Sequence, residues 1–244
     1  MSKIEPYIPK LIEGLRTTSV LIVAVTLGAT LVALVVGSAG TSQIRVVRIV
    51  TTCISEFFRG TSTIVQLFWA YFALPMIPGA PQFGAMTTAV VVLSLNAGCF
   101  GAEMVRSAIK SVPRGQWDAA EASGLSRNRA LRKVIGPQVW PVLVPALGSM
   151  SVEIVKGTAA ASFITVQDLF FWGDQVRSVT GTTTEMFVIL LLTYLILSVI
   201  VAGVFRLIEY LLPANRSYRS VAPVIADVKA ADAKAADARE VARA

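Results

Sequence analysis

Long uncharged apolar runs, separated by short basic or turn-forming segments, organise this chain. No charged residue occurs between Arg16 and Arg45, nor between Arg59 and Glu103. A helix that crosses the hydrocarbon core needs about 20 mostly apolar residues, so the first run predicts a span over 17–37. The second run is too long for one helix. Pro75-Met-Ile-Pro-Gly-Ala-Pro-Gln-Phe-Gly84 is dense in turn formers and divides it. The division predicts a second span from near 50 to 74 and a third over 85–101. Glu56 and Arg59 then lie at i and i+3 on the second span, close enough to pair.

Residues 134–151 are apolar but carry Pro137, Pro141 and Pro145 on one helical face. Proline is costly inside a helix, although membrane helices tolerate it better. The expectation is a short irregular approach followed by a helix over 142–166, which brings Glu153 and Lys156 into or near the bilayer. Residues 186–205 give the clearest span. The chain therefore reads as an all-α membrane protein of about five transmembrane helices. It divides into an external segment (1–16), a transmembrane domain (17–212) and a polar tail (213–244). The tail is Ala-rich, and Ala230-Ala-Asp-Ala-Lys234 recurs as Ala235-Ala-Asp-Ala-Arg239.

Composition agrees with a membrane class. The chain is 55% hydrophobic and 15% charged, against about 25% charged for soluble domains. The net charge of +7 would suggest nucleic acid in a soluble protein, but here the basic residues sit between apolar runs. Arg45 and Arg48 follow the first span. Arg106, Lys110, Arg114, Arg127, Arg129, Arg132 and Lys133 lie between the third and fourth, and Arg206, Arg216 and Arg219 follow the fifth. The opposite side has no basic residue in 74–84 and only Arg177 in 167–184. This asymmetry places the N-terminus outside and the C-terminus in the cytoplasm. Histidine is absent and Cys53 and Cys99 stand alone, so neither His-based catalysis nor a His or CxxC metal site is legible.

The basic segment 106–138 is the most informative. Pro113 can start a helix, Gln116 to Ser123 is rich in helix formers, and Gly124 is placed to end it in the left-handed conformation. Ser126 can then cap a second short helix running to about Val134. The first helix sets small Ala119, Ala120 and Ala122 beside Trp117, Asp118 and Glu121. A small-residue surface with one aromatic anchor suits close docking of another protein.

Gln116-Trp-Asp-Ala-Ala-Glu-Ala-Ser-Gly-Leu-Ser126 with Val134-Ile-Gly-Pro-Gln138 resembles the coupling signature of ABC importer permeases, Glu-Ala-Ala-x3-Gly-x9-Ile-x-Leu-Pro. Ala119, Ala120, Gly124 and Pro137 match; Asp118, Val134 and Gly136 depart from it. Glu56-Phe-Phe-Arg-Gly-Thr61, Val65-Gln-Leu-Phe-Trp-Ala-Tyr-Phe-Ala-Leu-Pro75, Glu103-Met-Val-Arg106 and Ser111-Val-Pro-Arg-Gly-Gln-Trp117 are similar to the polar amino-acid branch of that family. The resemblance covers residues 10–212.

The resemblance implies a multi-pass permease of the bacterial cytoplasmic membrane, not an enzyme, importing a polar amino acid or similar zwitterion by alternating access. It implies two cytoplasmic ATP-binding subunits, a second permease subunit and an extracytoplasmic solute-binding protein, with lipid around the spans and no nucleic acid. No GxxxxGK[ST] loop is present, so ATP and Mg would be held by the partner ATPase and no cofactor by this chain. Trp117, Asp118, Ala119, Ala120, Glu121 and Gly124 are the implied ATPase-coupling residues. Glu56, Arg59, Gln66, Glu153, Lys156 and Thr158 are candidates for the substrate pathway, since charged groups within membrane helices are usually functional. The family segment Lys-Asp-Thr-Ser reads Lys156-Gly-Thr-Ala159 here, so its acid is missing at Gly157. The competing reading is an ion-gradient-driven secondary transporter, which expects inverted repeats and several deep carboxylates; only Glu103, Glu153 and Glu185 approach the spans.

Overall fold

Four helices are long and apolar enough to cross a membrane in the computed structural model, which describes residues 4–212. They are Glu5–Ala39, Ala85–Lys110, Arg127–Ile164 and Thr183–Leu211. No strand occurs among the described residues. The polar tail and its repeat lie outside the described residues.

The first helix, α1 (Ile8–Ala39), begins well before the expected 17. Pro9 stands in its first turn, where a missing N–H costs nothing. Leu11 and Leu15 pack with Leu169, Met186 and Leu190, and Lys10 lies 4.8 Å from the Trp172 ring centre. The charges at the start of α1 therefore do not stop the helix, and the separate external segment expected over 1–16 is helical from Ile8.

The second expected span is not one helix. α2 (Arg45–Gly60) stops at Gly60, Thr61 and Ser62 are extended, and α3 (Thr63–Phe68) follows. α3 widens into a π turn over Trp69–Ala73 and tightens into a 3-10 turn over Leu74–Met76. Neither piece has the length of a span. α4 (Ala85–Lys110) then packs along α1, with Ala29, Leu21 and Val25 against Ala89, Val92 and Leu93. Small residues set this spacing: a side chain at Gly98 would strike Val32, and one at Gly28 would strike Ser94.

The fourth span also departs from expectation. α5 (Arg114–Ala122) and α6 (Arg127–Ala130) precede a π turn over Leu131–Ile135, and α7 (Gly136–Gly157) continues from it. The irregular approach expected before 142 is instead one continuous helix from Arg127 to Ile164. The helix continues through Pro141 and Pro145, which stand inside α7. Pro137 stands in the first turn of α7, and the preceding wide turn pairs the Gly136 N–H with the Leu131 carbonyl. The Gln138 side chain donates to the Val134 carbonyl at 3.0 Å. A Cβ on Gly136 would come within 2.9 Å of the Leu131 oxygen. The glycine standing where the family has Leu is thus accounted for by this close approach.

A 3-10 segment, Thr158–Ile164, leads to α8 (Leu169–Thr180) and α9 (Thr183–Leu211). α9 packs on α7 and turns Leu191, Leu195, Val199 and Leu207 outward, as a helix bordered by lipid on one side does.

Candidate coupling and translocation sites

The α5–α6 hairpin is built from local chemistry. Pro113 holds the N-cap position of α5, and Gly124 takes φ +77° with open space where a Cβ would stand. The Gly124 N–H bonds the Glu121 carbonyl at 2.9 Å and the Leu125 N–H reaches back to the Ala120 carbonyl at 3.1 Å. Together they close the helix end in the left-handed manner expected of this glycine. Ser126 occupies the N-cap position of α6, but its hydroxyl makes no capping bond; the expectation of a side-chain cap is not met. Nor does the second helix end at Val134, because the π turn carries it into α7.

The two faces of α5 differ. Asp118, Ala119 and Glu121 are exposed, whereas Ala120 is buried and Trp117 half-buried. Trp117 packs toward the cluster of Val105, Ile109, Ile135 and Val139, beside Leu131 and Val134. The Arg127 guanidinium covers its ring at 4.4 Å. Trp117 thus holds the hairpin against the membrane helices, while Asp118, Ala119 and Glu121 face outward.

Within the spans the candidates separate into three places. Gln66 lies at the break between α2 and α3. The break leaves backbone groups without helical partners, which is costly away from water. The Gln66 amide donates to the Phe58 carbonyl at 3.0 Å and to the Thr61 hydroxyl, and the Asn96 amide donates to the same Phe58 carbonyl at 2.9 Å and to Gln66 Oε1 at 3.2 Å. Beside it Glu56 pairs with Arg59 at 3.5 Å, and the Arg59 guanidinium lies 5.4 Å from the Phe100 ring.

Glu153 lines a cavity of about 370 Å³ with Thr63, Asn96, Phe100, Met150 and Gly157. No neighbour lies within 4 Å of a Cβ built on Gly157, so the missing acid leaves open space one turn from Glu153. Lys156 pairs with Glu153 but borders a different cleft, beside Phe187, Leu191 and Tyr194. Thr158 is fully buried and donates to the Val155 carbonyl at 2.8 Å, so it does not line the cavity with Glu153.

Three polar residues escaped the sequence reading. Asn96 and Thr63 both border the cavity; Asn96 could have been noticed as an amide within the uncharged run between Arg59 and Glu103. Asp168 is fully buried beside α1 and α9. Its Oδ1 caps α8 through the Phe171 N–H at 2.8 Å, and Thr18 Oγ1 accepts from the Leu169 N–H at 2.9 Å. Burial pushes the Asp168 carboxyl up to about 6. No sequence pattern points to it.

Fold and sites together define a multi-pass membrane permease with a helical hairpin, α5–α6, between two of its spans. Residues 29–212 match the family described as the binding-protein-dependent transport system inner membrane component, and the chain belongs to that family, the ABC importer permeases. A probable amino-acid ABC transporter permease, y4tF of Sinorhizobium fredii, is 37% identical over 67% of this chain and 71% of its own. The glutamine transport permease GlnP of Escherichia coli is 32% identical over 85% of this chain and 95% of its own. Among solved structures, an amino acid ABC transporter with histidines superposes with a TM-score of 0.75 at 29% identity, covering 85% of this chain and 96% of that one. The inward-facing MetNI methionine transporter shares the fold, with a TM-score of 0.72 at 24% identity, 85% of this chain and 98% of that one. The chain is therefore a translocation subunit of an ATP-driven importer rather than an enzyme.

Proposed function

We propose that this chain is one permease half of an importer for a polar amino acid or similar zwitterion in the bacterial cytoplasmic membrane. In this reading α2 and α3 together complete a fifth crossing, with the N-terminus outside and the C-terminus inside. Two ATP-binding subunits dock on the outward strip of α5, a second permease subunit completes the pore, and an extracytoplasmic binding protein delivers the solute. ATP and Mg stay on the ATPase.

One observation carries the reading. The helix that starts at the docking hairpin runs unbroken from Arg127 to Ile164 and carries Glu153 at the cavity. A rigid element joining docking site and cavity can convert movement of the ATPase into rocking of the spans. At the cavity, the Glu153 carboxylate and Asn96 amide offer acceptors for an ammonium group, and Phe100 and Met150 supply apolar walls. Glu153 stands on the same cavity one turn before Gly157 and supplies a carboxylate where the family's acid is missing.

The test is ATP-dependent uptake in vesicles containing the chain and the proteins that co-purify with it. Glu153→Gln is expected to weaken apparent solute affinity about tenfold, the loss of one charge-assisted contact, with Lys156→Gln affecting it less. Unchanged affinity and rate in both variants would reject a substrate role for the pair. Recovery of the chain without any Walker A subunit, still transporting without ATP, would favour a gradient-driven carrier instead.

A further inference from the structure

A second cleft, of about 620 Å³, lies between the α1–α2 turn and the docking hairpin, apart from the cavity at Glu153. Its size falls within the roughly 300–1,000 Å³ of small-ligand sites. One part of its lining is apolar, with Val35 near the end of α1, Val47 on α2 and Leu131 ahead of α7. The other is polar and basic, with Ser42, Arg127 and Arg132. Among the described residues no Asp or Glu lines it. The acids on α2, α4, α7 and α8 that form ion pairs each do so with a base three residues on. Arg127 and Arg132, by contrast, form no ion pair among the described residues. Stacking on Trp117 holds Arg127 in place.

A cleft with an apolar part and two uncompensated guanidinium groups, set at the ends of membrane helices, fits an anionic amphiphile. Arginine is well matched to phosphate oxygens through its planar fork of donors, and basic pockets between helices on the cytoplasmic side suit acidic headgroups. We propose that this cleft binds an anionic phospholipid. The phosphate is held by Arg127 and Arg132, and the upper part of an acyl chain lies along Val35, Val47 and Leu131. Free phosphate would satisfy the arginines but leave the apolar part uncovered. The inference rests on the reading of α1 and the Arg127–Ile164 helix as membrane crossings, and not on which solute is carried.

The experiment is native mass spectrometry of the purified full chain in mild detergent, titrated separately with phosphatidylglycerol, phosphatidylcholine and inorganic phosphate. Phosphatidylglycerol adducts are expected on the wild type and about tenfold weaker binding on Arg127→Gln/Arg132→Gln, from loss of two charge-assisted contacts. Arg132→Gln alone, which leaves the stack on Trp117 intact, should lose part of that binding while the fold is retained. Arg129→Gln/Lys133→Gln removes the same charge from neighbouring positions that do not line the cleft, and should bind as the wild type does. Equal weakening in both pairs would reduce the effect to diffuse surface charge and overturn the proposal. Equal binding of phosphatidylcholine, or displacement of the lipid by inorganic phosphate, would also overturn it. So would unaltered lipid binding in Arg132→Gln together with loss of a co-purifying ATPase, which would make the cleft a protein contact. None of these readouts uses solute uptake, so their failure leaves the importer reading in place.

Discussion

The α5–α6 hairpin and the broken segment α2–α3 interrupt regular helix in opposite ways. At the hairpin, the turn is closed by backbone bonds between neighbours: Gly124 to Glu121 and Leu125 to Ala120. At the break, the Phe58 carbonyl is satisfied by side chains of Gln66 and of Asn96, the latter 38 positions away on another helix. A locally closed turn folds with its own sequence. A break closed by distant amides exists only once α2, α3 and α4 have packed, so its geometry depends on how those helices sit.

The most severe way to break the comparison is at Gly124. Gly124→Asp forces a side chain into a left-handed conformation and adds a charge beside the docking strip. ATP-coupled uptake should fall to background while the protein remains in the membrane, measured by uptake and by immunoblot of membranes. Normal uptake would count strongly against docking through this turn.

The inner and outer faces of α5 should separate stability from coupling. Trp117→Ala removes a half-buried indole from the cluster with Ile135 and Val139 and should cost about 3 kcal/mol, the low end for large aromatic truncations. Asp118→Ala, on the exposed face, should leave thermal unfolding within about 0.5 kcal/mol and lower the ATPase activity of the assembled complex. Equal destabilisation by both would mean that the two faces are not distinct.

At the break, Gln66→Leu and Asn96→Leu should each destabilise by about 1–3 kcal/mol, since each leaves a buried polar group with one partner fewer. Their double mutant should cost less than the sum, because both serve the Phe58 carbonyl. Additive losses in detergent unfolding would show that the two amides do not act as one unit.

Much of this was legible in sequence, and the division follows the range of the interactions. The apolar runs and the basic loop come from local composition, as does the role of Gly124. The junction of α6 with α7 was misread because three prolines suggest a broken helix. The π turn and Gly136 ease the junction at Pro137 by changing the hydrogen-bond register, while α7 runs on through Pro141 and Pro145, which a count of helix breakers does not show. Glu56–Arg59 and Glu153–Lys156 were visible as i,i+3 pairs. The break at Thr61 was not, because no proline marks it and one of the groups that stabilise it lies on α4. Thr158 shared a motif with Lys156 yet is fully buried, its hydroxyl turned back to the Val155 carbonyl.

Asp168 provides the sharpest test of long-range burial. Its carboxyl accepts from the Phe171 N–H of α8 and lies beside Tyr194 of α9, while Thr18 of α1 accepts from the adjacent Leu169 N–H. Neither Oδ2 nor the Tyr194 hydroxyl has a hydrogen-bond partner among the described residues, so burial of the charge is incompletely offset. The folded-state value of about 6 lies above the ordinary value of 3.8. Between about pH 4 and pH 6 the folded chain therefore keeps a proton that the unfolded chain has released. This group's stabilising contribution is complete below about pH 4 and is lost as pH rises through about 6, a change of about 3 kcal/mol. Asp168→Asn keeps an oxygen that can cap α8 and removes the titration. Thermal unfolding of the wild type in detergent should fall across that window relative to Asp168→Asn, whose profile should be flatter by that amount. Parallel profiles would show that the carboxyl is already solvated in the folded protein, and that the contact between α1, α8 and α9 is looser than its packing implies.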